Sequence, residues 1–295
     1  MLKLRDHLLA LDRRRPLVMG ILNVGEDSVA DPLHLRTSEQ RLARARQLIG
    51  EGAAIIDVGA VSGRTDTPPL AEAQEARLLV EVVRPLAAEG VVVSVDTWRA
   101  GVVEAVLEAG AALINDVSGL ADPRVAELCA QAGAGLVVMH TKARPKERRF
   151  PPYADLVGEV RSFLAERAEL ARGAGVPAQS ILLDPGLDFA KTPAQSVELL
   201  RKLPAIRALG YPILLAVSRK YFVGMLTGRG PLERLAGTLG AIAGALEAGI
   251  EVVRVHDVAA VVDFLAVYRA LRSDGPVELK GDPEDEALRW LPPKG

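Results

Sequence analysis

The sequence predicts an α/β protein of one domain, a (β/α)8 TIM barrel, from three observations. Eight short apolar runs recur along the chain, segments of helical periodicity separate them, and each run ends in polar residues. Strands that are apolar throughout and divided by helices belong to a parallel sheet covered on its faces. Eight such units in about 250 residues match the size of this barrel. A doubly wound sheet is the competitor, but no glycine-rich dinucleotide fingerprint follows the first run.

In chain order, strands are expected at residues 17–23 (LVMGILN), 54–60 (AIIDVGA), 92–97 (VVSVDT) and 113–118 (LINDVS). Four more are expected at 135–140 (GLVVMH), 181–186 (ILLDPG), 213–218 (ILLAVS) and 252–257 (VVRVHD). Between them lie helical stretches such as SEQRLARARQLIGEGA and DLVGEVRSFLAERAELARGAG, which end in Gly as helix C-termini prefer. Residues 1–16 read as a leading helix and turn, 17–273 as the barrel, and 274–295 as a polar tail.

Composition narrows the function. The chain of 295 residues is 49% hydrophobic and 25% charged, which is ordinary for a globular protein. Its formal net charge of -2 gives no electrostatic reason to bind nucleic acid or an anionic membrane. The single cysteine, Cys129, excludes a disulfide scaffold, and its neighbours VAELCAQAG place it in a helix core. Charges interrupt the N-terminal apolar residues too often for a secretion signal, and no apolar run approaches the roughly 20 residues of a membrane span. A cytoplasmic enzyme acting on small molecules is the expectation.

Barrel chemistry sits where the strands end. That position gives Asn23, Asp57, Asp96, Asn115 with Asp116, His140, Asp184, Ser218 with Arg219 and Lys220, and Arg254 with His256 and Asp257. One polar strand end often only supports a turn, but eight together mark a site. Asp96, Asn115 and Asp184 suit the donor and acceptor edge of a flat nitrogen heterocycle. Arg254 and His256 stand two apart on one strand and so face the same side. With Arg64 and Lys220 they make a cationic group suited to phosphate or pyrophosphate.

The ordered motifs MGILNV…DS (19–28), VDT (95–97), IND (114–116), MH (139–140), LLDPG..F.KT (182–192), SRK (218–220) and VRVHD (253–257) together resemble dihydropteroate synthase. The resemblance implies condensation of the pyrophosphate ester of 6-hydroxymethyl-7,8-dihydropterin with p-aminobenzoate, giving dihydropteroate and pyrophosphate. It implies that Asp96, Asn115, Asp184 and Lys220 hold the pterin, with Val117 and Met139 packing near it. Asn23 would ligate Mg²⁺ on the pyrophosphate, and Arg64, Arg254 and His256 would complete the anion site. Asp31, Lys220, Arg254 and His256 would carry the charge changes of the reaction. Ser62, Gly63, Arg64, Phe189, Ser218 and Tyr221 would frame p-aminobenzoate. A homodimer is also implied.

The departures cluster. The first loop reads NVGEDSVADPL where the family usually has NVTPDSFSDGG, and the second reads GAVSGRTDT in place of GGESTRPG. Gly63 stands where a threonine helps to frame p-aminobenzoate, and Tyr221 where a serine commonly meets its carboxylate. These changes fall on the p-aminobenzoate side and spare the pterin side. A paralogue that binds pterin without condensing it stays open on their account. A pterin-dependent methyltransferase barrel is also open, although it would have no use for the anion group.

Overall fold

The computed structural model describes residues 1–13, 15–25, 35–61, 70–272, 275–277, 279, 281 and 288. The first two strands, β1 (Leu2–Leu4) and β2 (His7–Leu9), form an antiparallel hairpin. Eight parallel strands follow: β3 (Leu17–Asn23), β4 (Ile55–Gly59), β5 (Val93–Asp96), β6 (Leu113–Asp116), β7 (Gly135–Met139), β8 (Ile181–Asp184), β9 (Leu214–Ala216) and β10 (Val252–Val255). They are ordered β8-β7-β6-β5-β4-β3-β10-β9, and a bridge from Leu183 to Ile213 joins the two ends. The sheet therefore curls into the expected barrel, with helices between its strands. Among the described residues, no helix is long and apolar enough to cross a membrane.

Alternation along the strands separates two cores. Val18, Leu22, Ile56, Val58, Val95, Ile114, Val138, Leu183 and Val255 face outward into a large apolar layer shared with the helices, where Cys129 is also buried. Met19, Ile55, Leu113, Val137, Leu182, Leu214 and Val252 point inward and fill the barrel. Inward positions further along the same strands are Asp57, Ser94, Asn115, Asp184 and Arg254, so the interior turns from apolar to polar toward the strand C-termini.

The hairpin replaces the leading helix expected over residues 1–16. Leu2 and Leu4 are fully buried and belong to the interior cluster, while Lys3 between them is exposed. That alternation is a strand period, and it stoppers the interior at the end away from the site. Each buried leucine contributes roughly 1.5–3 kcal/mol relative to exposure. The tail, residues 274–295, lies mostly outside the described residues.

Local signals fix the helices that carry the loops. Thr37 caps the helix Ser38–Gly50 in a reciprocal box with Gln40, and Thr192 caps Pro193–Arg201 in the same way with Gln195. The second cap directly follows Lys191 and so sets where the loop after β8 ends.

Candidate active site

At the polar end of the barrel a fully buried carboxylate, Asp57, organises its neighbours. It accepts from Ser94 Oγ at 2.5 Å, Asn115 Nδ2 at 3.2 Å and Arg254 Nε at 2.6 Å. The other side of the guanidinium reaches Asp96, with Nη2 2.9 Å from Oδ2. A buried charge is tolerated only when it is paired and hydrogen-bonded, and Asp57 is both. Asn115 gives one amide N–H to Asp57, which orients the group and turns its carbonyl oxygen away from Asp57 as an acceptor.

Asp184 closes the acceptor set from across the barrel. It is buried, and its Oδ1 accepts from Gly186 N–H at 2.7 Å. Burial raises the pKa of Asp184, and burial raises that of Asp96 to about 7 despite the lowering pull of Arg254. Both carboxylates are therefore poised to gain from a cationic or N–H-rich ligand. Lys220 Nζ donates to Leu187 O at 3.0 Å and stands 4.3 Å from the centre of the Phe189 ring. Met139 is buried on the inward face of β7, and Val117 lies half-buried just past β6.

The anion side differs from the sequence-based picture in two respects. Arg254 does not stand apart with the phosphate group; its guanidinium lies between Asp57 and Asp96 and joins the two sides of the site. His256 is not a cation in the free protein. Burial, then the charges of Arg219, Arg254 and Lys220, push its pKa down to about 3. Its Nδ1 lies 2.9 Å from Ser218 Oγ, and Ser218 Oγ also accepts from the His256 backbone N–H at 3.1 Å. His256 is thus a neutral, oriented imidazole.

Several polar strand ends turn away from the site. Asp116 faces outward and accepts from the N–H groups of Ser118 and Leu120, a turn-supporting role. Arg219 and Asp257 bind one another through two hydrogen bonds. His140 is buried beside Lys191, with the edge of Phe163 against it. Tyr221 begins the helix after Lys220 and is well exposed. Asp31, Ser62, Gly63 and Arg64 lie outside the described residues. Asp57 belonged to the ring in sequence, but its inward alternation was the only signal of its central place.

Asn23 ends β3 and faces inward beside Gly59. Among the described residues its side chain has no hydrogen-bond partner, and no group of three His, Cys, Asp or Glu side chains could hold a metal. The amide oxygen of Asn23 fits a Mg²⁺ ion that takes one protein oxygen and fills its shell from phosphates and water.

A parallel barrel with facing carboxylates, an amide oxygen and two cations at its C-terminal rim defines a barrel enzyme for a polar heterocycle bearing an anionic group. The model of the family described as "Pterin binding enzyme" matches residues 19–256. The dihydropteroate synthase of Mycobacterium leprae is 42% identical over 270 residues, which cover 88% of this chain and 94% of that protein. The structure of Thermus thermophilus dihydropteroate synthase in complex with 4-aminobenzoate superposes with a TM-score of 0.81 at 40% identity, covering 92% of this chain and 99% of that one. That of the Burkholderia cenocepacia enzyme, complexed with 7,8-dihydropteroate, gives 0.83 at 38% identity, covering 92% and 96%. The chain belongs to the pterin-binding enzyme family and, within it, to the dihydropteroate synthases. It is accordingly a transferase of folate biosynthesis.

Proposed function

We propose that this site condenses 6-hydroxymethyl-7,8-dihydropterin pyrophosphate with p-aminobenzoate, and that its residues divide the work between pterin, anion and amine. The observation that carries the reading is the Asp57–Arg254–Asp96 bridge, which sets acceptors and a cation side by side at the C-terminal ends of the strands. Asp96, Asp184 and the carbonyl of Asn115 take the N–H groups of the pterin, and Lys220 donates to it, with Met139 and Val117 against the ring. Burial makes each of these bonds selective, because an unmatched ligand would leave a desolvated carboxylate unpaired.

Arg254 and His256, with Arg64 from the second loop, receive the pyrophosphate. Mg²⁺ held at Asn23 would supply further positive charge to the leaving group. As the carbon–oxygen bond to pyrophosphate breaks, the pterin methylene gains positive character, which Asp96 and Asp184 stabilise from fixed positions. His256 enters as a neutral donor and has its ring oriented by Ser218, so it needs no reorganisation. The attacking aniline nitrogen is unprotonated near pH 7 and needs no strong base. Phe189, Ser218 and Tyr221, together with Ser62, Gly63 and Arg64, are assigned to p-aminobenzoate, and Asp31 to the charge changes of the reaction.

The test is pyrophosphate release by the purified chain. Release is expected only when the pterin pyrophosphate, p-aminobenzoate and Mg²⁺ are all present, and it should stop when the metal is chelated. Tight pterin binding with no release would instead identify a non-catalytic paralogue.

We also propose a homodimer. Leu226, Val267 and Leu271 are 69%, 61% and 80% exposed on helices late in the chain. On the helix Leu235–Leu246, Ala236, Gly240 and Gly244 are exposed at four-residue spacing, and a Cβ at either glycine would meet no atom within 4 Å. A small-residue stripe on one helix and exposed apolar side chains on its neighbours in the chain suit close helix packing between two copies. Light scattering should give the mass of two chains, and a single-chain mass at micromolar concentration would refute it.

A further inference from the structure

The largest fully buried side chain outside the groups already assigned is a lysine. Lys191 has no accessible surface. Its Nζ donates to Gly186 O at 2.9 Å, Phe189 O at 3.0 Å and His140 O at 3.2 Å, and lies 2.8 Å from His140 Nδ1. Desolvating an ammonium is costly, so the question is what this one secures.

It secures the loop that leaves β8. Gly186, Asp188 and Ala190 have φ of 68°, 64° and 52°, and two of these are non-glycine residues in a region that L side chains seldom adopt. Gly186 is required by contact as well as by conformation, since a Cβ there would lie 2.0 Å from His140 O. Such a backbone persists only when its surroundings over-determine it. Lys191 gathers the carbonyls at both ends of the strained stretch and ties them to the end of β7. Tyr153 OH adds a bond to Ala190 O at 3.0 Å, and Ser196 Oγ accepts from Asp188 N–H at 3.0 Å.

The strained loop supports two groups of the site. Leu187 O receives Lys220 Nζ, and Phe189 places its ring beside that ammonium. Asp188 Oδ2 accepts from Phe222 N–H at 3.1 Å, which joins the loop to the helix after Lys220. Lys191 itself is sealed beneath this layer.

We propose that Lys191 is a positioning residue for the condensation: its buried Nζ holds the β8 loop so that Phe189 and Lys220 meet the substrates in fixed geometry. The proposal rests on reading Phe189 as a p-aminobenzoate contact. A neutral His140, whose pKa burial and then Lys191 push down to about 3, offers Nδ1 as an acceptor, in keeping with this role.

The experiment is a double-mutant cycle read in the KM for p-aminobenzoate. Lys191→Met should raise that KM by at least about fivefold, since small misplacements of a substrate contact are costly. In a Phe189→Ala background the same change should raise it by clearly less, because both act through one ring. Lys191→Gln, which keeps two N–H donors, should fall between wild type and Lys191→Met. A smaller rise, or an equal factor in both backgrounds, would overturn the proposal. Failure of both Lys191 variants to fold at 25 °C would also overturn it, by making the lysine a determinant of the fold. If Phe189→Ala alone leaves the KM unchanged, the reading of Phe189 fails first and takes this proposal with it.

Discussion

Replacement of Arg254 by methionine is expected to lower both stability and turnover, more than any other single change at the site. Methionine keeps much of the side-chain volume but leaves Asp57 fully buried with no cation, and it releases Asp96 from its partner. Removing one member of a buried ion pair costs about 3–5 kcal/mol, because the remaining charge is uncompensated. Urea unfolding reads that loss directly. Turnover should fall about a hundred- to a thousandfold, since a fixed cation beside developing charge is lost. The two effects should separate in the double variant Arg254→Met/Asp57→Asn. Neutralising Asp57 should restore a large part of the stability and none of the activity. Recovery of both together would mean that Arg254 serves only the fold.

The second large effect is expected at Asp184. Asp184→Asn keeps an oxygen to accept the Gly186 N–H, so the loop and the fold should survive with little change in unfolding free energy. What disappears is the charge of the acceptor proposed for the pterin. Hydrogen bonds to charged groups contribute about 1.5–3 kcal/mol, and the replacement amide also turns N–H groups toward the ligand's own. Calorimetric titration with the pterin pyrophosphate should show an affinity about a hundredfold weaker. A loss of less than about threefold would remove Asp184 from the pterin contacts, because so small a change is below the value of one charged hydrogen bond.

These predictions draw on features of unequal visibility in the sequence. All eight barrel strands were legible because each is an apolar run between helical segments, and LVMGILN coincides with β3 from end to end. The N-terminal hairpin was not. Its strands are three residues each, and the leucines of LKLRDHLLAL are spaced closely enough to imitate a helical face. Only contact with the barrel interior selects the strand form.

At the site, residue types and inward alternation were readable, and they brought Asp96, Asn115, Asp184, Arg254 and His256 to one end. Partnerships across the barrel were not readable, since Asp57 and Arg254 are far apart in the chain and meet only through closure of the sheet. The same limit hid the neutral state of His256, which burial and the neighbouring cations, Arg219 first among them, decide. It also hid Lys191, which in sequence is one lysine of a family motif and in space is the fully buried clasp of a strained loop.

The loop changes are the sharpest challenge to the proposed activity, because Gly63 and Tyr221 stand where the family's usual p-aminobenzoate contacts would be. Phe189 and Ser218 retain their places on described elements, with Lys220 beside the Phe189 ring and His256 beside Ser218.

One measurement tests the central claim most directly: mass-spectrometric detection of dihydropteroate after the purified chain is incubated with the pterin pyrophosphate, p-aminobenzoate and Mg²⁺. The account predicts catalytic turnover, with product well in excess of enzyme and abolished by Arg254→Met. Product absent from the wild-type reaction, under conditions where the pterin pyrophosphate is shown to be bound, would contradict it.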